Sequence, residues 1–376
     1  MEYEPLLMLP GPVPMPERVR QVMMRQAINH RGSEFGRIYA ECVRMMKPWF
    51  GTTNDLFILS GSGTAAMEAA VENFGRDRRI ACLVNGKFGE RLYKISQGYG
   101  TATEIASPWG SPLDLGALES RLEEGVDLVT LVHNETSVGI KNPVEEVGKL
   151  IRRHNALLVM DGITSIGGDV VEADRWGVDI ALVGSQKCLA APAGLSAISV
   201  SKRAWDLLCQ KRPYYLDLAS YRKSAANTPM ETPFTPAVPL FLALHEALVM
   251  AENEGIAPRI ERHRRLSNAV RAAAGAWGIP LFPKLDALHS YSNTVTAFSY
   301  PPGIKDSEMR GRVKKMGIEI AGGQDQMKGK IFRIGSMGAV SAPEILATLA
   351  AVQHSLTSLG LRVQGDGVEA AGEVLG

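Results

Sequence analysis

Little in this sequence is extreme, and each shortage removes a class of function. The 376 residues include four cysteines, Cys42, Cys82, Cys188 and Cys209, scattered rather than paired. Neither a disulfide framework nor a metal-ligand spacing can be read from them, so no metal site is expected and a reduced, cytoplasmic setting is. Lys and Arg number 41 against 40 Asp and Glu, a net charge of +1. That balance gives no electrostatic case for nucleic acid or an anionic membrane as partner. No apolar run approaches membrane-spanning length. The opening Met1-Glu-Tyr-Glu-Pro5 lacks the basic-then-apolar profile of a signal peptide. Internal repeats are absent, and a small Gly, Ala and Glu-rich tail, 366–376, is expected to be disordered.

What is present is a regular alternation of short apolar runs with helical stretches. Runs at 56–59, 80–85, 128–133, 157–161, 180–183 and 196–201 read as strands. Amphipathic stretches at 65–74, 90–99, 115–123 and 143–154 read as helices between them. This is the pattern of an α/β fold with a mostly parallel sheet covered on both faces. Further helices are expected over 17–28 and 36–50. After residue 201 the alternation stops, and 213–239 is a long polar stretch rich in Pro and Thr, of the kind that is functional or bridges to a partner. Two long helices, 240–254 and 258–277, then lead to strands near 294–299, 318–321 and 330–335. A last helix opens at Ser341 with Glu344 three residues on, a capping-box spacing. We therefore expect an N-terminal arm (1–20), a large α/β domain (21–255) and a small α+β domain (256–365), the arm packing on the latter.

The chemistry centres on Asp179-Ile-Ala-Leu-Val-Gly-Ser-Gln-Lys187-Cys-Leu-Ala-Ala-Pro-Ala-Gly194. One lysine follows a short apolar strand and sits among small residues, where an unpaired ammonium is costly unless its pKa falls or its charge is consumed chemically. An isolated lysine of this kind is more often a surface residue on a loop. Upstream, however, Leu157-Leu-Val-Met-Asp161 brings a carboxylate to the C-terminal end of another apolar strand, where open α/β sheets bind ligands. Lys and Asp at successive strand ends suit pyridoxal phosphate, the amine on the aldehyde carbon and the carboxylate on the ring nitrogen. Ser60-Gly-Ser62-Gly63-Thr64 follows a strand and opens a helix, a geometry for binding phosphate or for a plain turn. It is neither a P-loop nor a dinucleotide fingerprint. Phe88, between Gly86 and Gly89, can stack on a planar ring or plug a turn. His133 to Gly139 clusters polar groups that fit a ring hydroxyl or solvent. Arg333, inside the apolar run 330–335, needs an anion: a substrate carboxylate or an internal ion pair.

Together these motifs resemble the class V group of fold-type I pyridoxal-phosphate enzymes, most closely the alanine–glyoxylate and serine–pyruvate aminotransferases. The resemblance runs from Pro10-Gly11-Pro12 to Phe332-Arg333-Ile-Gly335, through Ser60-Gly-Ser-Gly63, Asp161 with Ser165-Ile-Gly-Gly168, Gly184-Ser-Gln-Lys187 and Gly317 to Gly323. It implies that Lys187 forms the internal aldimine and moves the proton between Cα and C4′, and that Asp161 pairs with the pyridine nitrogen. It further implies that Phe88 stacks on the ring and that Thr136 contacts its 3-oxygen region. Ser62, Gly63, Thr64 and Gln186 would line the phosphate cup, while Arg333, with Gly11 beside it, would hold the substrate carboxylate. Relatives send a loop from the neighbouring subunit to the phosphate. Here Thr235 matches its threonine, while Thr232 stands where some relatives have tyrosine. A homodimer with shared sites follows from that resemblance. The expected reaction passes an amino group from alanine or serine to glyoxylate or pyruvate. An aspartate or 2-aminoethylphosphonate donor is the alternative, with Arg31 as candidate second cation. All four cysteines precede residue 210, which counts against a desulfurase with a reactive cysteine in the C-terminal domain.

Overall fold

A computed structural model describes residues 4–376. Seven strands form the larger sheet, in the spatial order Asp55–Ser60, Leu195–Val200, Ile180–Gly184, Leu157–Asp161, Leu128–Val132, Arg79–Val84 and Thr101–Ala106. Every neighbouring pair is parallel except the two made by Leu195–Val200. Leu157–Asp161 and its neighbours Leu128–Val132 and Ile180–Gly184 are buried along their whole length, which is why they read as continuous apolar runs. Helices on both faces complete two cores. One is built on Phe35, Trp49, Met160 and Phe241, and the other on Phe74, Leu92, Leu157 and Ile198. The parallel strands all deliver their C-terminal ends to one edge, and the turns at 162–168 and 185–190 emerge there.

Helix Val238–Glu254 stops at Gly255, whose φ of +84° turns the chain into Ile256–Trp277. Beyond it a four-stranded sheet has its own core on Trp277, Phe298, Phe332 and Leu349. Its edge strand, Leu6–Met8, comes from the N-terminus and runs parallel to Ile318–Gly322. The helix Ala342–Ser358 carries the expected capping box, Ser341 donating its backbone N–H to Glu344 Oε2 at 2.7 Å.

One strand was not anticipated and three expectations need correction. Thr101–Ala106 is a strand at the sheet edge with Ile105 as its one buried residue, too polar an alternation to stand out in the sequence. The polar stretch 213–239 contains a helix, Leu218–Ala225, capped by the Asp217 side chain. The helix expected over 17–28 ends at Val22. The tail is not disordered: Gly367–Leu375 is a helix, capped by Asp366 and laid along Ile256–Trp277, with Ala371 buried. Gly367 is needed there, because a Cβ would lie 2.2 Å from Trp277 Nε1. Removing 366–376 exposes Ala371 and the inner sides of Val368 and Leu375. The deletion is expected to cost about 2–4 kcal/mol of stability. An unchanged denaturation midpoint would contradict this packing.

Candidate active site

The two turns that leave adjacent strands at 161 and 184 meet above the sheet edge. Asp161 is buried, and its Oδ1 accepts the Ile163 backbone N–H at 2.8 Å. Burial pushes its carboxyl up to about 7, with Glu135 adding to the rise. One N–H is meagre compensation for a buried carboxylate, so this group calls for a cation. Lys187 lies across from it, its amine donating to the Pro10 carbonyl at 2.6 Å. Burial lowers its pKa from 10.5 to about 8. Near neutral pH a useful fraction of the amine is therefore uncharged and nucleophilic. Gly11 is required beside it, since a Cβ would stand 2.5 Å from Lys187 Nζ.

The phosphate-type loop opens helix Gly63–Phe74 with no side chain capping its first turn, so its N-terminal donors are available to an anion. Ile163 packs so closely here that a Cβ on Gly63 would meet its Cδ1 at 2.4 Å. Gln186 follows the neighbouring strand, its amide oxygen buried without a partner. Phe88 begins the next helix, Lys87–Gln97. The buried Glu135 carboxylate orients that helix, accepting the amides of Phe88 and Gly89 at 3.0 Å each. Thr136 is buried, with its hydroxyl 2.8 Å from that of Thr164. Its carbonyl accepts from Arg333 Nη1 at 2.9 Å.

Arg333 is 5% exposed and its Nε and Nη2 both reach the Gly322 carbonyl, at 3.1 and 2.8 Å. Among the described residues no carboxylate makes an ion pair with it. Burial lowers its pKa to about 10, opposed by the field of Glu135. The internal ion pair that the sequence left open is thus absent, and a buried fork is held by neutral carbonyls. Such an arrangement suits an incoming carboxylate.

Of the sequence-derived residues, Thr235 stands apart. It is exposed on a loop whose Ala237 N–H is fixed by Ser60 Oγ at 3.1 Å. Thr232 is buried and its hydroxyl is spent on the Phe234 carbonyl at 2.7 Å. His133 is a core residue: burial drops its pKa to about 3, its ring packs edge-on against Trp176, and its Nδ1 has no hydrogen-bond partner. Sequence reasoning missed Glu135, Ile163 and Arg91. The Arg91 guanidinium lies 4.7 Å from the Phe88 ring centroid and donates to Thr64 Oγ1 at 3.1 Å. Arg91 is one turn beyond Phe88, a spacing that could have flagged it.

Residues 18–334 match the family model Aminotransferase class-V. The chain belongs to the class V aminotransferases. An uncharacterized aminotransferase of Methanocaldococcus jannaschii is 43% identical over 98% of this chain and 97% of its own. A serine–glyoxylate aminotransferase of Methylorubrum extorquens is 32% identical, covering 98% and 95%. The crystal structure of ureidoglycine–glyoxylate aminotransferase from Bacillus subtilis superposes with a TM-score of 0.92 at 28% identity, covering 100% of this chain and 99% of that one.

The family implies pyridoxal phosphate, and this aminotransferase suits it. The under-compensated Asp161 fits a protonated ring nitrogen, the neutral-prone Lys187 fits an aldehyde, and the uncapped helix fits a phosphate.

Two outcomes follow from these environments. The Asp161 pKa is raised on folding, so its ionisation opposes the fold. That loss begins above the ordinary 3.8 and is complete above about 7. Asp161→Asn should therefore raise the melting temperature of cofactor-free protein near pH 8 by a few degrees, on the order expected for 1–2 kcal/mol, with no gain near pH 4. A gain of equal size at both pH values would refute the assignment. For Arg333→Lys, which cannot bond both carbonyls and fork a carboxylate, steady-state kinetics should show the amino-donor KM rising about 30- to 100-fold. Cofactor affinity should stay within about threefold of wild type.

Proposed function

We propose that this aminotransferase moves the amino group of alanine or serine to glyoxylate or pyruvate in two half-reactions. Bound pyridoxal phosphate supplies an aldehyde that bonds amines and a protonated ring that accepts electrons. Lys187 supplies the amine that holds the cofactor and takes the Cα proton of the amino acid. Asp161 would hold the proton on the ring nitrogen, Phe88 and Ile163 would pack on the ring, and Thr136 would bond its oxygen. Ser62, Gly63, Thr64 and Gln186 face the phosphate. Arg333 binds the substrate carboxylate, near Gly11. Thr235, exposed on its own chain, serves the phosphate of a second subunit, making the working unit a homodimer. Four unpaired, buried cysteines suit a cytoplasmic protein, and no helix among the described residues is long and apolar enough to cross a membrane.

The observation that favours a small donor concerns Arg31. Its guanidinium is committed to Glu231 Oε2 at 2.5 Å and to the Thr232 carbonyl at 2.8 Å. Engaged in this way, it is not free to receive a side-chain carboxylate. The M. extorquens and B. subtilis relatives are both named for glyoxylate, which supports that acceptor.

The test is the visible spectrum of the reconstituted protein as single amino acids are added without an oxo acid. Alanine or serine should bleach the band and glyoxylate should restore it. Bleaching by aspartate or 2-aminoethylphosphonate alone would replace the small-donor reading by the acidic one. Borohydride reduction should fix the cofactor on Lys187, and Lys187→Ala should abolish the band.

A further inference from the structure

The turn carrying Lys187 and the turn following Asp161 must keep a fixed relation for both residues to serve one cofactor. The sheet supplies it only at the base of the turns, where the Gly162 N–H donates to the Leu182 carbonyl at 3.0 Å. The last ladder pairing between the two strands is Asp161 with Leu182, and both turns lie beyond it. Within the turns, the direct link is weak: Cys188 Sγ lies 3.4 Å from the Thr164 carbonyl.

The link comes from elsewhere in the chain. Arg259, in the first turns of helix Ile256–Trp277, is 5% exposed. Its Nη2 donates to the Cys188 carbonyl at 2.5 Å and its Nε to the Gly167 carbonyl at 3.2 Å. One rigid guanidinium therefore bridges the residue after Lys187 and the turn after Asp161. Its Nη1 is held by Glu254 Oε2 at 2.6 Å. The other Glu254 oxygen accepts from Arg262 Nε at 2.6 Å. Arg262 then binds the carbonyls of Val340 and Gly338 at 2.9 and 3.1 Å. His263 Nε2 accepts the Gly338 N–H at 3.0 Å, its Nδ1 being engaged by the Arg259 carbonyl at 2.7 Å. Gly338 in turn lies against Lys187, since a Cβ there would be 3.3 Å from the Lys187 carbonyl. The node touches the lysine turn from two directions, and it sits where Gly255 joins the two long helices.

We propose that Arg259 is a positioning residue for Lys187, fixing the lysine turn against the Asp161 turn through a guanidinium anchored by Glu254. It touches neither cofactor nor substrate. Charge-assisted bonds to two carbonyls hold a geometry that lysine, a single-point donor, cannot reproduce. A misplacement of about 1 Å at a reacting amine costs up to about a hundredfold in rate. The proposal rests on Lys187 being the cofactor-bonding lysine.

The experiment compares wild type with Arg259→Lys and Glu254→Gln. Borohydride fixation of the cofactor in wild type is mapped first, and a label on a peptide without Lys187 would refute the site reading itself. With the label on Lys187, three quantities are read for each variant: the pH midpoint of the visible band, kcat and donor KM, and the acetylation rate of Lys187 in cofactor-free protein. Arg259→Lys should shift the midpoint by about half a unit or more and lower kcat at least about tenfold, with KM within about threefold. The acetylation rate should change by at least about threefold. Glu254→Gln keeps the side-chain shape and should move all three in the same direction by less. If Arg259→Lys does not fold, Glu254→Gln alone decides. A lower melting temperature with wild-type midpoint, kcat and acetylation rate would mean a merely structural arginine and would overturn the proposal.

Discussion

Three ionisable side chains, Asp161 and Lys187 where strands of the larger sheet end and Arg333 on a strand of the smaller one, are buried or half-buried without a protein counter-ion in contact, and the organisation of the site follows from that. Asp161, Lys187 and Arg333 each have their charged form disfavoured by burial. Each is met mainly by neutral backbone: an N–H for Asp161, the Pro10 carbonyl for Lys187, two carbonyls for Arg333. A protein built only for stability would pair such groups with one another or replace them by apolar ones. Leaving them under-compensated stores a demand for a ligand that offers one cationic ring nitrogen, one aldehyde and one carboxylate. Stability and function pull in opposite directions at these positions.

The scaffold can carry this strain because the strands behind it are dry and continuous. Leu157–Asp161 is buried on both faces and paired on both edges, so the carboxylate at its end has little freedom to move toward water. Glu135 plays a different part. It is fully buried too, but accepts three backbone amides and the Ser137 hydroxyl. These bonds anchor the helix that carries Phe88, and the four donors offset part of the burial, which still raises the Glu135 pKa. Two carboxylates at neighbouring strand ends therefore differ in role according to how many donors surround them.

Much of this was legible in the sequence. The strands that deliver Asp161 and Lys187 are uninterrupted apolar runs ending in a charged residue or a glycine, and both signals survive in the fold. Arg333 could be recognised as a buried cation, but whether a carboxylate met it depended on what Gly322 and Thr136 bring from elsewhere. The residues that were missed share a feature: their roles are set by long-range contacts. Arg259 lies 92 residues from Gly167 and 71 from Cys188, and nothing in its helical neighbourhood separates it from the many arginines around it. The terminal helix was missed because its Gly and Ala content suggested disorder. That same content lets it approach Trp277 closely.

The N-terminal arm shows why the active site needs both sheets. Leu6–Met8 is a strand of the smaller sheet, yet two residues later the Pro10 carbonyl receives the lysine amine of the larger one. Gly335, at the end of the strand bearing Arg333, allows this crossing, since a Cβ there would lie 2.1 Å from the Leu9 carbonyl. The arm thus reaches Lys187 only while it is paired in the sheet that carries Arg333. Displacing the smaller sheet would move the carboxylate fork and the lysine's hydrogen-bond acceptor together. Arg262 and His263 tie the same unit to the lysine turn from the opposite side. The Lys187 amine is therefore bracketed by two connections to the sheet that carries Arg333, so a shift of that sheet would move both side chains together.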